Sequence, residues 1–87
     1  MQNMSATPGE VAARLWQLLR ADGILPHAGA VSDIQMRFGE RFLLTDEAGM
    51  PAIDTAVLAE FDRLTQGRAA WDGEAQTWVL IEDAQQL

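Results

Sequence analysis

Apolar residues recur at helical spacing in three stretches and alternate with polar ones only near the end of the chain. Val11, Leu15, Leu18 and Leu19 mark the first stretch. Thr7-Pro8-Gly9-Glu10 before it is a helix start: Thr7 caps, Pro8 occupies a first-turn position that needs no N–H, and Glu10 completes a capping box. With Gly23 as the stop, the spacing predicts a helix over 8–22. Val31, Ile34 and Phe38 share one face of a second helix, expected from Pro26 to Gly39, which leaves Met36 on its solvent side. The third helix is expected from the cap Asp54 to Gly67, with Val57, Leu58, Phe61 and Leu64 on one face.

Strand signals fill the rest. Arg41 to Thr45 reads as a short strand, Asp46-Glu47-Ala48-Gly49 as a turn, and Met50 to Ile53 as a return strand confined to an edge by Pro51. A closing hairpin runs from Arg68 to Asp72 and from Thr77 to Glu82, and a turn at Glu74-Ala75 places Trp71 across from Trp78. The expected fold is therefore α+β, three helices with a short strand/hairpin and a C-terminal β-hairpin. It is loosely winged-helix-like, although some fifteen residues stand where a helix-turn-helix has a turn of about 3–4. The 87 residues suit one domain, with 1–6 and 83–87 expected to fray.

Composition narrows the chemistry. The chain has no cysteine, which removes disulfides, thiolate catalysis and cysteine zinc ligands. Its polar N-terminus has no signal-peptide pattern, and no apolar run approaches the roughly 20 residues that span a bilayer. These features lead to the expectation of a cytoplasmic protein without a membrane. Thirteen acidic residues against six arginines give a net charge of −7, and there is no lysine. A nucleic-acid partner needs clustered positive charge, so none is expected; a basic protein partner is.

Residues that carry chemistry are few. His27 is the sole histidine and shares its face with Val31, so it reads as a structural or surface residue rather than a zinc ligand. Ser32 lies five residues away on the same helix, pointing elsewhere, and no nucleophile elbow surrounds it. The paired carboxylates fall in turns and the tail. No catalytic, metal-binding or cofactor-binding residue is assigned, and no enzyme activity is expected.

Contact-making residues stand out more. The first helix carries an apolar arc of about 160° on a 3.6-residue wheel, where a surface helix needs about 100°. Trp16 and Leu19 widen it, and with Arg20 they form the candidate interface of a self-associating, homodimeric interaction module. The alternative is a small-ligand pocket lined by Phe42, Trp71 and Trp78, and a third reading is nucleic-acid binding by a winged-helix-like fold, which would need Arg37, Arg41, Arg63 and Arg68 on one face.

The succession Phe38-Gly39-Glu40-Arg41-Phe42, Asp46 to Ile53, Val57 to Thr65, Trp71-Asp72 and Trp78 resembles a family of small uncharacterised bacterial proteins that includes integron gene-cassette products. The resemblance implies a compact helix-plus-hairpin fold in a bacterial cytosol and brings no catalytic residue with it.

Overall fold

A computed structural model describes residues 6–81. Helix α1 spans Pro8–Asp22, opened by the expected capping box (the Thr7 hydroxyl accepts from the Glu10 N–H at 3.2 Å, and a Glu10 oxygen accepts from the Thr7 N–H at 3.1 Å) and closed by Gly23 at φ 82°. Strand β1 (Ile24–Pro26) follows at once, and α2 covers His27–Phe38. A 3-10 turn, Gly39–Phe42, leads into β2 (Leu43–Thr45), which pairs antiparallel with β3 (Pro51–Ile53). Helix α3 covers Thr55–Thr65, with the Asp54 carboxylate accepting from the Ala56 N–H at 3.1 Å. Strands β4 (Ala69–Asp72) and β5 (Thr77–Leu80) close the chain's described part.

The fold is α+β, with three helices and two small antiparallel sheets among the described residues. Strand β1 was not expected, and the second helix begins one residue later than the sequence suggests. Ile24-Leu25-Pro26 is too short to show alternation, and Pro26 reads as a helix opener. Its backbone instead pairs with β5, giving the order β1-β5-β4, with Leu25 opposite Trp78 and Trp78 opposite Trp71. The order α1, β1, α2, α3, β4, β5 is the connectivity of a winged helix, with the 3-10 turn and the β2–β3 hairpin interposed between α2 and α3. The expected strand at Arg41 starts later because Gly39 to Phe42 coil into that turn. Of the residues expected to fray, 1–5 and 83–87 lie outside the described residues, as does the strand end at Glu82, while Ala6 packs against the core.

One core joins these elements. Val11, Ala12, Leu15 and Leu19 of α1 pack with Val57 and Phe61 of α3, Val31 and Ile34 of α2, Leu25, Phe42 and Ile53. The buried face of α1 is thus centred on the Val11–Leu15–Leu19 row, one residue in four. Gly39 allows the exit from α2: its φ of 80° and ψ of −162° are essentially closed to residues with a Cβ, while no side chain crowds the site. Gly39→Ala is therefore expected to lower unfolding free energy by about 1–3 kcal/mol through the backbone alone. A denaturant midpoint unchanged from wild type would contradict it.

Charge ties α1 to α2. The Arg14 guanidinium grips Asp33 with two N–H donors at 3.0 and 3.2 Å, and Arg37 adds a third at 3.3 Å. Burial pushes the Asp33 carboxyl up, but the hydrogen bonds and charges of Arg14 and Arg37 together outweigh it and hold the group below its ordinary value. A depressed folded value means that this stabilisation is complete above the ordinary carboxylate range, about pH 4, and is lost as pH falls through the folded value. Asp33→Asn should cost about 1–2 kcal/mol at neutral pH, and its gap from wild type should shrink below about pH 4. Urea titrations across pH check this; a gap that persists in acid would refute it.

Candidate functional site

A concavity lies where α3, the β2–β3 hairpin and the β4–β5 hairpin meet the first residue of α2. It measures about 620 Å³, and its walls include His27, Leu58, Phe61, Asp62, Trp71 and Trp78, with Asp46 and Pro51 at the hairpin. Each wall has a local cause. Trp71 and Trp78 face one another because the four-residue loop between β4 and β5 sets that register. Asp72 closes the loop by accepting from the N–H groups of Glu74 and Ala75, and Gln76 takes a positive φ of 53°. His27 is held beside them by its backbone N–H, which donates to the Gln76 carbonyl at 2.9 Å. Phe61 and Asp62 are adjacent on α3, one buried and one exposed.

The aromatic rings touch. The Trp71 and Trp78 ring centres lie 4.7 Å apart, Phe61 lies 5.4 Å from Trp78 edge-on, and His27 lies 6.3 Å from each tryptophan. Trp71 remains 46% exposed, a large apolar face left open to solvent. Among the described residues no arginine lines the groove. Asp46 accepts from the N–H groups of Ala48 and Met50, both at 2.9 Å, which fixes the hairpin turn. Among the described residues, the Asp62 carboxylate makes no hydrogen bond or ion pair. A second concavity of about 400 Å³, on the α2 side of the hairpin, shares His27, Asp46, Pro51 and Gln76 with the first and adds exposed Met50.

The sequence candidates divide accordingly. Trp71 and Trp78 come together as the register implied, but Phe42 does not join them: it is 4% exposed, its ring meeting Phe38 at 6.2 Å within the core. Phe61 occupies the place given to it. The candidate interface on α1 is also corrected, because Leu19 is fully buried and cannot meet a partner. Trp16 is half-buried against the core, and the guanidinium groups of Arg20 and Arg68 lie 5.4 and 5.6 Å from its ring centre. His27 and Asp62 were not picked from the sequence as groove residues. Nothing local marks them, since each reaches the groove only through tertiary packing.

Against protein-family models, residues 7–80 match a family of unknown function, DUF6953. The chain belongs to DUF6953. No curated protein and no solved structure matches it. For this DUF6953 member the residues themselves carry the functional argument. No helix among its described residues is long and apolar enough to cross a membrane.

Proposed function

We propose that the protein is a non-catalytic protein-interaction module whose contact surface is the groove beside Trp71 and Trp78. The observation that carries this reading is a half-exposed tryptophan set in an open concavity of about 620 Å³, with carboxylates and, among the described residues, no arginine on its walls. Tryptophan is the residue most enriched where interfaces concentrate their binding energy. The walls favour a chain segment over a small molecule. Asp46, Pro51, Asp62, Trp71 and Gln76 are all exposed, whereas a small-ligand site commonly encloses about 70–90% of its ligand.

Charge supports a basic partner. The net −7 gives long-range attraction for positive segments and repulsion for nucleic acid. The helix that a winged helix would present to DNA is α3, and its polar side chains include Glu60, Asp62 and Arg63, with Arg63 paired to Glu60. Self-association through α1 has weaker support, because Leu19 is spent on the core and Trp16 is already overlaid by two guanidinium groups. The resemblance in the segments 38–42, 46–53 and 57–65 supports placing the module in a bacterial cytosol.

The test is a random peptide display library selected on the wild-type protein and counter-screened on Trp71→Ala. Binders that lose the variant support the reading. A library that yields no binder dependent on Trp71 or Trp78 overturns it.

A further inference from the structure

The groove contains aromatic faces and two carboxylates but, among the described residues, no arginine, and its geometry separates the cations that could enter. A quaternary or primary ammonium is recognised best when aromatic rings surround it. Here the Trp71 and Trp78 centres are 4.7 Å apart and tilted by 58°, so the rings contact each other and leave no gap for an ammonium between them. They form a ledge, with His27 beside it at 6.3 Å from both. A ledge suits a flat cation. Guanidinium stacks on an aromatic face and offers a planar fork of N–H donors to a carboxylate, which lysine cannot do.

Guanidinium groups of the chain itself already lie on its aromatic rings. Arg20 and Arg68 lie over Trp16, and Arg41 lies over Phe42 at 4.9 Å. Among the described residues no guanidinium lies over Trp71 or Trp78, although Trp71 is 46% exposed. Asp46 already spends one oxygen on two backbone N–H groups of its turn, whereas the Asp62 carboxylate has no partner among the described residues. The stacking face and an unengaged carboxylate therefore line one groove.

We propose that the groove recognises an arginine side chain in a partner segment, its guanidinium lying on Trp71 and pairing with Asp62. This rests on the reading of the groove as a contact surface and names what enters it. Asp62 is a positioning charge, and Trp71 supplies the platform.

The experiment takes the Trp71-dependent peptides from the display selection and titrates synthetic copies by tryptophan fluorescence. Copies with arginine replaced by lysine, or by the uncharged isostere citrulline, are expected to bind about tenfold more weakly or worse. Asp62→Asn, an exposed substitution that leaves the fold intact, should weaken the arginine peptide by a similar factor while leaving the citrulline peptide unchanged. Lysine copies that bind as tightly as arginine copies would overturn the assignment, as would selected peptides without arginine. Either result leaves the groove in use, and only the failure to obtain any Trp71-dependent peptide removes the groove itself.

Discussion

Leu19→Ala is expected to destabilise the protein by about 2–5 kcal/mol, the range for emptying a fully buried leucine site. Domains of this size hold roughly 0.05–0.15 kcal/mol per residue, so the loss takes a large share of the total. With a urea dependence of about 1–2 kcal/mol/M, the midpoint should fall by about 1 M or more with its slope unchanged. The magnitude follows from position: Leu19 ends the buried Val11–Leu15–Leu19 row of α1, the helix that packs most extensively on α3, and close-packed interiors relax only partly into a void. A surface contact residue would behave in the opposite way, with stability held and association lost. Should Leu19→Ala keep the wild-type midpoint and lower the mass seen by light scattering, the core placed along α1 is wrong.

The two tryptophans of the groove should separate stability from binding. Trp78 sits on the central strand between Leu25 and Trp71, with Phe61 beneath it. Its truncation to alanine removes packing on three sides and should cost about 2–4 kcal/mol. Trp71 sits on the edge strand and is half-exposed, so Trp71→Ala forfeits little more than a cross-strand aromatic pair, about 1 kcal/mol. Binding should respond the other way in proportion. The folded Trp71→Ala variant should lose at least about thirtyfold in affinity for a groove peptide, the effect of removing an interface anchor. Thermal melts alongside peptide titrations check both. A Trp71→Ala variant that binds normally would remove the platform from the site, and equal stability losses at both positions would refute the edge placement.

How much of this was legible depended on how local each signal is. Helix α1 could be read to the residue, because Thr7, Pro8, Glu10 and Gly23 act within a few positions of themselves. The same holds for Asp54 at the start of α3 and for the Trp71–Trp78 register, which a short loop dictates. Strand β1 was not legible, since three residues ending in proline acquire strand geometry only by pairing with β5, more than fifty positions away. Leu19 was misassigned because Ala12 was left out of the apolar face; counting it moves the centre of the stripe onto the Val11–Leu15–Leu19 row. Phe42 was drawn into the groove by an expected strand, and the 3-10 turn instead delivers it to the core. The groove itself combines α2, α3 and both hairpins, so the pairing of His27 and Asp62 with the tryptophans exists only in the folded molecule.

The central claim is that contact is made at the groove rather than along the first helix, and the three tryptophans allow it to be tested in one spectrum. Each carries an indole N–H, giving a resolved signal in a nitrogen-15 correlation experiment on the folded protein. Titration with a selected peptide should shift or broaden the signals of Trp71 and Trp78 and leave Trp16 in place. Movement of Trp16 while the other two stay fixed would put the contact on α1 and contradict the groove.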